Sequence, residues 1–176
     1  MLRKAVLRLL SHFLGGVWLA RKLGVRVGEG CRIYTTQWGS EPFLIHIGDR
    51  VTVTSGVKFL THDGATWLVR DGDGRRQRYG AIRVGDDVFI GVNTIILPGV
   101  TIGSRVVVGA GSVVTADIAS GSVAVGCPAR VVGSFDAYRD KVLATCASER
   151  ELAGLAYREK VARAMAIQEA RAARNP

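Results

Sequence analysis

The chain has 176 residues, 48% of them hydrophobic, and a formal net charge of +9. It is long enough for one well-buried core and carries no run of eighteen apolar residues, so one structural domain with flanking helices is expected and a membrane-spanning helix is not. The positive charge favours anionic partners, such as cofactor phosphates, nucleotide-sugars or a membrane surface. Nucleic acid is not expected, because no nucleic-acid module and no aromatic-studded basic stripe is present.

Residues 1–24 read as an amphipathic helical segment. Leu2, Val6, Leu9, Leu10, Phe13, Leu14 and Val17 recur at three and four on one face, with Arg3, Lys4, Arg8 and His12 on the rest. Gly15-Gly16 weakens the pattern. The apolar run is short for a secretory signal and lacks a small-residue cleavage site, so export is not expected. Such a helix caps the first layer of the fold or packs on a second copy of the chain. Alternatively, residues 1–23 touch an anionic membrane, placing a cytoplasmic protein at its inner face.

From Val25 the rhythm changes. Val27-Gly28 and Ile33 set a step of six, which breaks over residues 34–43, read as a polar and aromatic excursion with Tyr34, Gln37 and Trp38. The step resumes at Ile47, Val53 and Phe59 and enters Thr61-His62-Asp63-Gly64. Residues 64–81 form a second excursion. Here Trp67, Leu68 and Val69 precede Asp71-Gly72-Asp73-Gly74, a tight-turn signal that predicts a small hairpin or arm. Loops of this length are usually functional. The arm is expected to cover a site beside His62 and to contact an anionic ligand through Arg75, Arg76 and Arg78.

The central stretch is strictly periodic. Val84, Ile90, Ile96, Ile102, Val108 and Val114 fall at every sixth position, and Gly85, Gly91, Gly103 and Gly109 follow four of them. A second column reads Val88, Thr94, Val100, Val106, Ser112 and Ile118. Neither a helix nor a simple strand has this period. A hexapeptide repeat predicts a parallel β-helix, in which three hexads, roughly eighteen residues, wrap one triangular coil and coils stack at roughly the 4.7–4.9 Å strand spacing. The every-sixth residue points inward, and the glycine beside it is expected to permit a tight corner. The rhythm slips at Ser120-Gly121-Ser122 and recovers through Val132, giving a domain over residues 25–132. Residues 133–176, rich in Ala, Arg and Glu, read as a helical tail that caps the last coil. Cys31, Cys127 and Cys146 are odd in number and widely spaced, which predicts reduced thiols and neither a disulfide frame nor a zinc knuckle.

The run Ile82-Arg83-Val84-Gly85-Asp86-Asp87-Val88-Phe89-Ile90-Gly91-Val92-Asn93 resembles the hexapeptide-repeat acetyltransferases. So do Ile96-Leu97-Pro98-Gly99-Val100-Thr101-Ile102-Gly103, Val108-Gly109-Ala110-Gly111-Ser112-Val113-Val114-Thr115 and Gly126-Cys127-Pro128-Ala129-Arg130-Val131. The resemblance spans Val25 to Val132. It implies an all-β solenoid, a left-handed parallel β-helix with an N-terminal helix and a C-terminal helical tail, which departs from the right-handed crossover rule. It also implies a homotrimer with sites between adjacent subunits, and acetyl-CoA as co-substrate with no metal.

An acceptor hydroxyl or amine must lose a proton as it takes the acetyl group, and histidine suits that task near neutral pH. Of His12, His46 and His62, only His62, in its Thr-His context, resembles the family's catalytic base. Asp63 is expected to orient the ring or meet the acceptor, and His46 to be structural. By the same resemblance, Phe89 lies beside the cofactor arm. Gly91 and Val92 offer backbone amides to developing charge. Ala110 and Thr115 line the pantetheine and adenine ends, and Arg130 meets phosphates. Ala116 departs from the family, where many relatives carry lysine. The Thr61-His62-Asp63-Gly64 context followed by Trp67 is similar to sugar acetyltransferases of surface-polysaccharide pathways, with Tyr34, Gln37, Trp38 and Trp67 expected to line the acceptor pocket. Serine, maltose and antibiotic acetyltransferases are alternatives of the same class. A zinc carbonic anhydrase, which needs three histidines, and a non-catalytic scaffold are the alternatives outside it.

Overall fold

A computed structural model describes residues 15–173. Residues 1–14, which include His12 and most of the N-terminal amphipathic pattern, lie outside the described residues. The chain divides into two compact units, residues 1–135 and 136–176.

In the first unit the hexads lay down three parallel sheets that the chain visits in rotation. Sheet A holds β1 (Arg26–Val27), β3 (Ile45–Ile47), β8 (Ile82–Val84) and β11 (Thr101–Ile102). Sheet B holds β2 (Arg32–Ile33), β4 (Thr52–Val53), β9 (Phe89–Ile90), β12 (Val107–Val108) and β14 (Ser122–Val125), closed by antiparallel β15 (Arg130–Ser134). Sheet C holds β5 (Lys58–Phe59), β10 (Ile95–Ile96) and β13 (Val113–Val114). Ile102 pairs with Val84, Val107 with Phe89 and Val113 with Ile95, each eighteen residues on, as three hexads per circuit require.

The every-sixth side chains are the core. Ile90, Ile96, Ile102, Val108 and Val114 are wholly buried, each contributing about 1.5–3 kcal/mol through lost apolar surface. The second column is buried as well. It admits Thr94 and Ser112 because their hydroxyls donate to Gly91 O and Gly109 O, both at 2.7 Å.

Three sequence expectations are corrected. The repeat glycines are not in left-handed conformations; that role falls two residues later, at Asp87, Asn93, Arg105 and Gly111. What excludes a side chain is space: a Cβ on Gly91 would lie 2.4 Å from Ala110 N, and one on Gly85 would lie 2.8 Å from Ser104 N. Next, residues 34–43 are not wholly an excursion. Gln37 bridges to Lys58 in parallel, and Trp38 takes the inward position above Phe59, stacked at 5.1 Å. Trp38 stands five residues after Ile33, one short of the period, which hid its place. Finally, Ile118 does not continue the second column; it pairs with Ile102 in sheet A.

At the open end, α1 (Gly16–Leu23) begins at a glycine because a Cβ there would collide with Ile33 O, and ends at Gly24, φ +104°. Leu19 and Ala20 are buried, and Val17 and Leu23 pack against the core, so this helix covers its own chain's first strands. The segment 64–81 folds as a 3-10 turn (Gly64–Leu68) and a hairpin of β6 (Arg70–Asp71) with β7 (Gly74–Arg75), as its Asp-Gly turn predicts. After β15 the chain is helical: α2 (Phe135–Thr145), which starts on the last residue of the first unit, a 3-10 turn (Arg150–Leu152) and α3 (Tyr157–Ala172). All three cysteines are free thiols. Among the described residues no helix is long and apolar enough to cross a membrane.

Candidate active site

His62 leaves sheet C just after β5 and is pinned by the far end of the arm. It bridges antiparallel to Tyr79, with Asp63 N donating to Arg78 O at 3.0 Å and Gly80 N to Thr61 O at 2.9 Å. Its Nδ1 lies 2.9 Å from Glu41 Oε2, and the Thr61 hydroxyl donates to the same oxygen at 2.6 Å. A carboxylate only accepts, so Nδ1 carries the hydrogen, and in the neutral ring the lone pair is on Nε2. Burial pushes the Glu41 carboxyl up, but the Thr61 hydroxyl and the His62 ring outweigh it and hold the group below its ordinary range. Glu41 therefore stays charged and keeps the ring in one tautomer.

Nothing in the repeat pointed to Glu41. The available signal was an acid just before Pro42, in a segment that had to return to the sheet. Asp63 does not orient the imidazole, because its Oδ1 accepts from Ala65 N at 3.0 Å and caps the 3-10 turn.

The ring faces a cavity of about 410 Å³. Leu60, Leu97 and Pro98 supply its apolar wall, and Asp63, Arg78 and Thr115 its polar groups. Thr115, expected at the adenine end of the cofactor, thus shares a cavity with the histidine. Gly91, Val92 and Ala110 lie at the other end of sheet C's strands, at the corner that precedes β10 and β13. Gly91 N donates to Val108 O at 2.8 Å, so that amide is already committed to the ladder. The amides of Val92 and Ala110, stacked at the same corner, make no hydrogen bond among the described residues, and Val92 is exposed. Phe89 is exposed on the outer face of sheet B between Thr52 and Val107. Arg130 is exposed at the start of β15, its Nη1 on Ala129 O at 2.9 Å.

The expected acceptor residues do not gather at His62. Tyr34 is exposed at the corner between sheets B and C, its amide on Val53 O, and Gln37 is beside Lys58 on sheet C. Trp38 is a core residue, 2% exposed, which removes it from the acceptor wall. Trp67 is exposed on the arm, with the guanidinium groups of Arg70 and Arg75 at 4.4 and 4.9 Å from its ring. His46 lies on the outer face of sheet A, in register between Arg26 and Arg83. Among the described residues no three His, Cys, Asp or Glu side chains converge as a metal site.

The sequence and the fold are similar to those of known proteins. Residues 81–116 match the family described as the hexapeptide repeat of succinyl-transferase. The protein CapG of Staphylococcus aureus is 46% identical over 145 residues, covering 81% of this chain and 84% of that protein. A hexapeptide-repeat-containing acetyltransferase of Vibrio cholerae has a similar structure, with a TM-score of 0.57 at 28% identity, over 68% of this chain and 78% of that one. The same Vibrio protein complexed with acetyl-coenzyme A matches with a TM-score of 0.54 at 27% identity, over 75% and 85%. The chain belongs to the hexapeptide-repeat acetyltransferases and is an acetyltransferase.

Proposed function

We propose that this acetyltransferase uses acetyl-CoA to acetylate a hydroxyl or amino group of a sugar, on a nucleotide-sugar or a surface-polysaccharide unit, with His62 as general base. The observation that carries the reading is the His62–Glu41 hydrogen bond, which puts the lone pair of the neutral ring on Nε2, beside a cavity large enough for a sugar ring. Acetyl-CoA supplies the acetyl group as a thioester. His62 Nε2 takes the proton of the acceptor hydroxyl or amine as the bond to the acetyl carbon forms, and returns it to the departing thiol sulfur. Glu41 holds the ring's tautomer and stabilises the imidazolium between those events.

The parallel three-sheet circuit and the structural likeness favour a left-handed β-helix. The base and the free amides of Val92 and Ala110 sit at opposite ends of sheet C, which favours a site completed between subunits of a trimer. In that assembly Thr115 comes with the base, while Phe89, Val92 and Ala110 line the donor arm and Arg130 its phosphates. Gly91 acts by bringing the backbone of the next circuit close, since its amide is taken. Asp63 shapes the loop, and Tyr34, Gln37 and Trp67 bear on the acceptor through the assembled site.

The test is an acceptor screen with acetyl-CoA, reading released thiol, over amino sugars, nucleotide-sugars and oligosaccharides. Transfer to serine or to an antibiotic but to no saccharide sinks the sugar reading.

A further inference from the structure

Arg78 lines the His62 cavity and has no counter-charge of its own among the described residues. Its guanidinium makes no hydrogen bond or ion pair among the described residues, although its backbone is fixed opposite Asp63. The nearby carboxylates are otherwise engaged. Glu41 holds His62 and Thr61, Asp63 caps Ala65, and Asp71 and Asp73 pair with Arg76. The other arm cations, Arg70 and Arg75, lie over the faces of Trp67. Arg78 is the arm's remaining guanidinium, and it lines the cavity that holds the base.

A guanidinium offers a planar fork of donors that matches the two oxygens of a carboxylate or phosphate. Leaving such a group uncommitted beside a general base makes sense if the acceptor brings the anion. We infer that the acceptor is an anionic sugar, bound through Arg78 to a carboxylate or phosphate oxygen while its reacting hydroxyl or amine faces His62 Nε2. This rests on the proposed sugar acetylation and names the kind of sugar that it takes.

The test uses the whole protein, acetyl-CoA, and two matched acceptor pairs: galacturonic acid against galactose, and glucosamine 1-phosphate against glucosamine. The expected result is that the wild type favours the anionic member of one pair by about 10–100-fold in kcat/KM, the scale of a charged hydrogen bond. The pair that responds tells a ring carboxylate from a phosphate. Arg78→Gln brings the ratio to near one through a raised KM for the anionic member, and Arg78→Lys restores part of it. Equal rates within both pairs overturn the inference while leaving sugar acetylation standing, as does a preference that survives Arg78→Gln. No transfer to any of the four, nor to any saccharide of the wider acceptor screen, sinks the sugar-acceptor reading and this inference together.

Discussion

Glu41 Oε2 and His62 Nδ1 lie 2.9 Å apart across twenty-one residues of sequence, and Thr61 Oγ1 donates to the same carboxylate oxygen. One carboxylate thus ties the turn before β3 to the loop after β5. Removing the base is expected to cut turnover by about 10²–10⁴-fold in His62→Ala. Glu41→Gln keeps the size of the side chain but removes the charge and presents an amide to the ring. It should lower kcat by at least about tenfold while changing acceptor KM little. Steady-state kinetics with the best acceptor checks both. Full transfer by His62→Ala with every acceptor tried would remove the histidine from the mechanism.

The glycine column makes a stability prediction. Gly91 is not conformationally special, but a methyl group there would lie 2.4 Å from Ala110 N and 2.8 Å from its Cα. Both atoms belong to backbone held in the next circuit, so neither swings aside. Gly91→Ala is expected to cost about 1–3 kcal/mol as overpacking, read as a lowered denaturation midpoint. Gly72, in the arm turn, has nothing within 4 Å of the added carbon, and Gly72→Ala should stay within about 0.5 kcal/mol of wild type.

The periodic residues were legible because each inward side chain is set by its own place in the hexad. Val84 through Val114 needed no knowledge of neighbours, and His62 stood out as a histidine at the end of a hexad run. Trp38 was missed because it stands one position early in the step of six, where it stacks on Phe59 of the next circuit. Glu41 was missed for a different reason. Its role exists only once the turn at Pro42 brings it back over Thr61, and no local pattern encodes that return. Gly91 was found for an incomplete reason, since sequence shows that a glycine is wanted and not whether angle or space demands it.

The outer face of sheet A makes stability depend on pH. Burial first, and then the charges of Arg26 and Arg83 on the neighbouring strands, push the His46 pKa below its ordinary 6.5. The unfolded chain binds this proton more readily than the folded one. Stability from this group is therefore complete above about 6.5 and falls as pH drops toward the lower folded value. Glu41 acts further down. Its folded pKa lies below 4.5, so its contribution is present above 4.5 and lost as pH falls through the folded value. In denaturant titrations between pH 8 and about pH 3, His46→Gln should flatten the decline that begins near 6.5. Glu41→Gln should leave that decline in place and soften only the loss at more acidic pH. An unchanged wild-type midpoint across the upper range would refute the His46 assignment.

Trp38 separates a core role from a binding role in one experiment. The indole is 2% exposed and stacks on Phe59 with ring planes 13° apart, and its Nε1 has no hydrogen-bond partner among the described residues. Trp38→Ala removes the largest inward side chain of the first circuit and should cost about 3–5 kcal/mol, as truncation of a buried aromatic does. Trp38→Phe keeps the ring stack and loses no hydrogen bond, so it should be far milder, and acceptor KM should not move in this variant. If Trp38 instead lined the acceptor pocket, Trp38→Phe would raise acceptor KM while the denaturation midpoint stayed put. Measuring both quantities on the same protein decides between the two, because packing against Phe59 acts on the folding equilibrium and a wall contact acts on binding.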